Sequence, residues 1–587
     1  MALAFKDIVY KRPDFQHLAS LYKNALSQLG KRGLQFSDFT ANFEPYSNYY
    51  LYCISMFNLY QLQTAIENAS KKSNAPQIVS DTDQDTELEF LKKEIEKAQA
   101  DYIGLFSKIA DSDLKYSRES LEKSSILNHA RRIARTYGRV DYKLIKDEIK
   151  LIDRYEKFYS DFYISQKAPV PNLHETELRN IKKQTINIYL PDFRTILRQA
   201  NGTTRARVYY KISQELQKNS NDNELIFKQL VENRKQQARQ SNLSYFDYVL
   251  RRKKGFGYER KDIIKFKQNI VDYFLPLIAE IQSLRNNRLE KQTTFFYDEL
   301  KISHINPIDL IKIDKSLNKT LVQSFQKIFG EDTAYVFDLI KQGYWHANPV
   351  VNQQISKDII LLPHWSKLFL SLRFDQVYFN LEDIYFSMGK ALSDLSGMIN
   401  LKGITSYEQS PLIRQVSGFA MLFLSMRNMN LFTNNSELFN DLSLIDILLK
   451  IPFALAVDTF ESMMYSQDTS DSLSISDLWQ QVEKNNNIDF NFASEGFFSE
   501  GNGWQILRSL YTNPYSSIEF VLALVVILAE QPYRDTRNSL EKKLNQLLIT
   551  NTELPFVKRL EICGFSSPFE LQTIRKASYA VCDMLQI

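Results

Sequence analysis

Apolar residues recur at spacings of three and four along most of this chain, and that period is the strongest constraint on its fold. Ile145, Ile149, Ile152 and Tyr155 repeat in this way inside a segment rich in Lys, Asp and Glu. Ile263, Phe266, Ile270 and Phe274 repeat it. Such spacing places the apolar side chains on one face of an α-helix, and burying that face requires partner helices. Pro276 is expected to kink or end the second helix, because it lacks an N–H and clashes with the preceding turn. Turn-formers are scarce, with 17 Gly and 16 Pro in 587 residues. That scarcity disfavours sandwiches and propellers, which need many tight turns. Stretches of strand-type alternation are few, the best being Lys357–Leu362 and Lys367–Arg373, flanking Pro363-His364-Trp365. These predict a small hairpin inside a helical protein.

The length corresponds to several domains' worth of chain. Expected breaks lie at Ala69–Thr86, at Gln166–His174 with Pro169 and Pro171, and at Asn201-Gly202. No repeat of solenoid period is visible. Lys+Arg 73 against Asp+Glu 69 gives a net charge of +4, too balanced to require nucleic acid or acidic lipid as a partner. Three cysteines argue against a disulfide scaffold and for a reducing, cytoplasmic setting. The longest apolar run, Phe520–Ala529, is about half of the ~20 residues a membrane span needs, and reads as a buried helix segment.

Most chemical motifs fail on spacing. Asp81-Thr82-Asp83-Gln84-Asp85 opens like a calcium loop, but Thr86 and Lys92 stand where the loop needs Gly and Glu. Arg251-Arg252-Lys253-Lys254-Gly255-Phe256-Gly257-Tyr258 resembles the start of an RNA-binding strand, yet Glu259, Arg260 and Lys261 follow. It reads as a basic loop between helices, with a phosphate or RNA contact as the alternative. No glycine-rich phosphate loop and no G-x-S-x-G elbow occurs. Cys53, Cys563 and Cys582 are too far apart for a zinc knuckle. The six histidines are His17, His129, His174, His304, His346 and His364, the closest two 18 residues apart, so no H-E-x-x-H motif exists in any register.

The order of features resembles the oligoendopeptidase F branch of the thimet-oligopeptidase family of zinc metallopeptidases. Several stretches carry the likeness: Thr204–Tyr210, Asn242–Tyr248, Phe296–Glu299, Gly343-Tyr344-Trp345 and Cys563-Gly564-Phe565. The resemblance implies an all-α fold with a small sheet near 343–373, two-lobed around a deep central cleft, with an N-terminal helical lobe at 1–190 and a peptidase-like lobe at 191–587. It also implies where zinc chemistry belongs. Leu381–Ser393 is similar to the family's metal-binding helix, with Gly389 in place of the first His, Lys390 in place of the general-base Glu and Ser393 in place of the second His. Arg414–Gly418 is similar to the segment of the third ligand, putting Gln415 in place of a Glu. Trp504–Tyr515 resembles the family's later motif, with Ser509 replacing its transition-state His and Tyr511 and Tyr515 retained. A competing register sets Gln415, Val416 and Phe419 on the H-E-x-x-H positions, but fits less well the spacing to Phe460-Glu461, which resembles a later helix. In both registers the donors zinc requires are missing.

The expected function is therefore a catalytically inactive, metal-free and cofactor-free relative that binds a peptide or protein partner, with an active paralogous peptidase among the candidates and no membrane role. Lys390, Ser393, Gln415, Tyr511 and Tyr515 are the expected binding residues. The stretch near Lys357–Leu362 lies where the resemblance adds substrate as an extra strand. Two alternatives stand beside this. One is metal-free chemistry by a Ser393–Lys390 dyad on one helix face, modulated by Glu382 and Asp383. The other is nucleic-acid binding through the basic loop at 251–261.

Overall fold

The structure is a computed structural model. It describes residues 4–587 apart from 32, 75–81, 113, 115–120, 168–184, 192, 194–201, 256, 289–316, 330–338, 348–358, 373–380, 401–402, 406–408, 467–473, 487, 489–495, 532–538 and 551.

Helices dominate, as the period predicts. Long helices at Phe36–Asn74 and Thr82–Asp111 lead the chain. Helix is thus present on both sides of the expected 69–86 break, of which 75–81 lie outside the described residues. Thr82–Asp85 of the calcium-like motif is the first turn of a helix. His174 and both prolines of the second expected break also lie outside the described residues, as do Asn201 and Phe296–Glu299.

Local signals place the helix ends. Pro276 stops the Arg260–Tyr273 helix and sits in the first turn of the next, Leu275–Arg288. There its missing N–H costs nothing, because the first N–H groups of a helix have no intrahelical partner. Ser244 caps the Tyr245–Arg252 helix by accepting from the Asp247 N–H.

Two small sheets interrupt the helices. The expected hairpin forms: Ile359–Leu362 pairs antiparallel with Lys367–Leu372, turning through Pro363–Trp365 and a left-handed Ser366. Trp345–Ala347 joins the other side of Lys367–Leu372 in parallel, so the hairpin's second strand is central. A second hairpin, Tyr163–Lys167 with Thr185–Tyr189, was not expected.

The largest apolar core runs through the C-terminal half. Its densest part is the Ser516–Leu528 helix, buried at every position from Val521 to Leu528. This is the apolar run read as a buried helix, and among the described residues no helix is long and apolar enough to cross a membrane. The Pro411–Ser425 helix packs between it and the Leu381–Asn400 helix. A second core gathers Phe39, Phe43, Tyr46, Phe106 and Ile133 from the first 140 residues. The Tyr142–Asp161 helix belongs to the larger core instead, through Tyr155.

Candidate functional site

The positions that the resemblance assigns to metal chemistry fall on the Leu381–Asn400 and Pro411–Ser425 helices. These cross at two glycines. A β-carbon on Gly389 would stand 2.3 Å from the Ser417 carbonyl oxygen, 2.8 Å from Gly418 Cα and 2.8 Å from Met421 Cβ. A β-carbon on Gly418 would stand 2.8 Å from the Phe386 ring. Real β-carbons do not approach backbone this closely, so each glycine is the condition for the other helix's position. An imidazole at 389 has no room.

The neighbouring side chains do not assemble a catalytic group. Ser393 is fully buried and its Oγ has no hydrogen-bond partner, so it does not bond Lys390. Lys390 Nζ lies 5.1 Å from the centre of the Phe386 ring, a cation–π distance. Glu382, expected to modulate Lys390, accepts from the Ser443 hydroxyl at 2.7 Å. The expected Ser393–Lys390 dyad is therefore not formed: the hydroxyl that would need its proton taken is buried and makes no hydrogen bond. Gln415 Oε1 and Ser417 Oγ are likewise buried without partners. Asp394 lies 3.2 Å from Arg414 as an ion pair and accepts from the Gln409 N–H at 3.2 Å.

The remaining expected residues sit elsewhere. Ser509 lies half-buried on the short Arg508–Thr512 helix, which packs on Tyr142–Asp161. Tyr511 is fully buried; its ring stacks on Tyr155 at 3.5 Å and its hydroxyl donates to the Asn223 carbonyl. Tyr515 is also buried, in left-handed conformation, with its N–H shared between both Glu461 oxygens at 3.0 Å. Both tyrosines, expected as binding residues, have their rings buried against other aromatics. The Glu461 carboxyl is pushed up to about 8 by burial, with Asp458 nearby adding to the effect.

Three consecutive cations of the basic loop turn inward. Arg252 pairs with the buried Glu148 at 2.8 Å, Lys253 with the buried Glu519 at 2.8 Å, and Lys254 with the buried Glu553 at 3.7 Å. Lys253 also donates to the Pro514 carbonyl and Lys254 to the Thr405 carbonyl. Arg260 and Lys267 both bind Asp458. The loop thereby joins distant segments.

Two buried networks anchored on this loop were missed from sequence. In the first, Arg234 donates to Glu148, to the Tyr465 hydroxyl and to the Leu510 and Tyr511 carbonyls. Gln237 adds a bond to Glu148 and accepts from Tyr248. Burial alone would raise Glu148, but Arg252 and Arg234 together hold it down at about 2. In the second, His129 bridges the Tyr102 hydroxyl and Glu553, which also accepts from Arg132 at 3.2 Å. Burial pulls His129 down to about 4, so it is neutral at pH 7, with Nδ1 3.0 Å from both Glu553 Oε1 and Arg132 Nη2. These partners are up to 424 residues apart, and no sequence pattern marks them.

Among the described residues, no three His, Cys, Asp or Glu side chains converge into a group able to hold a metal. No protein-family model matches the chain, and no curated protein matches it. Solved structures do. An X-ray structure designated oligoendopeptidase F superposes with a TM-score of 0.83 at 16% identity, over 100% of this chain and 99% of that one. PZ peptidase A, solved with an inhibitor, gives 0.80 at 16% identity, over 99% of both chains. Oligoendopeptidase F from Enterococcus faecium gives 0.61 at 12% identity, over 97% of this chain and 96% of that one. At these identities the likeness establishes the fold: over its whole length, this chain adopts the mostly helical architecture of the oligoendopeptidase F and PZ peptidase structures.

Proposed function

We propose that this chain is a non-catalytic member of the oligoendopeptidase-like fold, which binds a peptide or protein partner without cleaving it. The observation that carries the reading is the glycine crossing. Zinc hydrolysis needs three donors from imidazole, thiolate or carboxylate, and a fourth position open to water. Gly389 supplies no donor, and the Ser417 carbonyl fills the space where a side chain would begin. Ser393 and Gln415 are weak donors, and Lys390 is a cation beside them. These residues do not fit a zinc ion, and we derive no step through one.

The fold's binding role outlasts the chemistry, because a large helical scaffold retains its surfaces when a few side chains change. One partner consistent with this is an active paralogous peptidase that the chain regulates or scaffolds. The inward pairing of Arg252, Lys253 and Lys254 supports a protein or peptide partner over nucleic acid.

The test uses the purified full-length chain. Its metal content is measured by emission spectroscopy, and mixed peptide libraries are incubated with it and followed by mass spectrometry. The reading expects metal well below stoichiometric and intact peptides. Stoichiometric zinc, or cleavage that chelators abolish, overturns it.

A further inference from the structure

Among the described residues the hairpin strand Ile359–Leu362 is an edge strand, since the three-stranded sheet runs Trp345–Ala347, Lys367–Leu372, Ile359–Leu362. The direction of its free groups follows from the register. Leu370 N–H donates to the Tyr344 carbonyl, toward the opposite neighbour. Leu370 is paired with Ile359, and Leu368 with Leu361. In an antiparallel ladder the groups of one residue point the same way and alternate along the strand. Ile359 and Leu361 therefore point their N–H and C=O groups outward, to the side where an added strand would bind.

That side is taken by the chain's own N-terminal helix, Phe36–Asn74. The Asn58 side-chain amide donates to the Leu361 carbonyl at 2.8 Å. Three residues toward the N-terminus, Ser55 Oγ accepts from the His364 N–H at 2.9 Å. The His364 ring is held against the same helix, edge-on to Tyr52 at 5.2 Å and bonded to the Asn48 backbone. Beyond Asn58, Leu62 packs with Ile360 and Phe369 in a small separate core. Asn48, Tyr52, Ser55 and Leu62 follow helical spacing, so one helix face lines the strand and its turn. Covering an edge with a helix is a known way to prevent unwanted strand addition.

We infer that the Phe36–Asn74 helix is a built-in latch on this edge: an extended peptide adds to Ile359–Leu362 only when Asn58 and Ser55 release Leu361 and His364. The peptide part of this inference rests on the proposed function; the latch does not. It makes the N-terminal segment the regulator of the edge, and a partner that pulls that helix away opens the strand.

The experiment compares the full-length protein with two variants, Asn58→Asp and Asn58→Leu with Ser55→Ala. Asp is isosteric with Asn but cannot donate to the carbonyl, so it keeps the test valid where the double variant fails to fold. Deuterium exchange of the 359–372 fragment reads the latch. Fluorescence anisotropy of a dye-labelled octapeptide of alternating Thr and Val reads strand addition. Loss of one net hydrogen bond predicts exchange and peptide affinity both raised by about fivefold in Asn58→Asp. Unchanged exchange in both variants overturns the latch whatever the peptide does. Faster exchange with no peptide bound by any of the three proteins upholds the latch and overturns the peptide reading.

Discussion

Two buried polar regions lie in this molecule, and they are built in opposite ways. Around Glu148, the carboxylate is met by Arg234, Arg252 and Gln237, and the remaining Arg234 donors end on a hydroxyl and two carbonyls. At the crossing of Leu381–Asn400 with Pro411–Ser425, Ser393 Oγ, Gln415 Oε1 and Ser417 Oγ are buried with no hydrogen-bond partner. A buried charge survives only with its partners, whereas a small unpaired hydroxyl costs about 1–3 kcal/mol and is tolerated. The first region is a structural joint. The second has polar residues without polar work, set around a glycine contact that fixes two helices. That contrast separates a charged framework network from a packing contact between two helices.

The contrast breaks most visibly at Arg234. Arg234→Met leaves two carbonyls and part of Glu148 unpaired, and is expected to cost about 3–5 kcal/mol. Urea unfolding followed by circular dichroism measures this; a loss below about 1 kcal/mol would remove the network's structural role.

Gly389→Ala is next, with an expected loss of about 2–3 kcal/mol from overpacking against the Ser417 carbonyl. Helix propensity alone would favour Ala by up to about 1 kcal/mol, so the sign of the change in urea midpoint isolates the steric contact.

Glu461 sharpens the comparison by pH. Folded, it holds its proton up to about 8, against an ordinary value of 4.5. Between these values the folded state binds more protons than the unfolded state, so its contribution to stability falls as pH rises through that window. Glu461→Gln keeps an acceptor for the Tyr515 N–H and should gain a few kcal/mol at pH 8 and close to nothing at pH 4.5. Paired unfolding curves at the two pH values decide it. His129 acts with the opposite slope, since a histidine held neutral loses stability as pH falls from 6.5 toward about 4.

The smallest effect belongs to Ser393. Ser393→Ala removes a hydroxyl with no partner, so stability should change by less than about 1 kcal/mol or rise. A loss above about 2 kcal/mol in thermal or urea unfolding would mean the hydroxyl has a partner such as buried water.

What was legible in the sequence was local. The helical period at Ile263–Phe274, the break at Pro276 and the hairpin around Pro363–Trp365 all appear where expected, because each depends on residues within a few positions of one another. Thr185–Tyr189 carried an alternating pattern too, but its partner strand is 22 residues away, as Ser165 and Asn187 show, and the pairing was missed. The binding roles expected for Tyr511 and Tyr515 came from motif position alone, which says nothing of the burial that both rings have in the fold.

By itself, then, the sequence determined the helical class and excluded an H-E-x-x-H motif, since its six histidines are too dispersed for one. Only the tertiary structure decided that Gly389 meets Gly418, that Arg252 turns inward to Glu148, and that Asn58 reaches Leu361 across 303 residues. Periodicity and turn chemistry act along the chain and can be read from it. Close packing and buried charge pairing act between segments, and they exist only once the chain has brought those segments together.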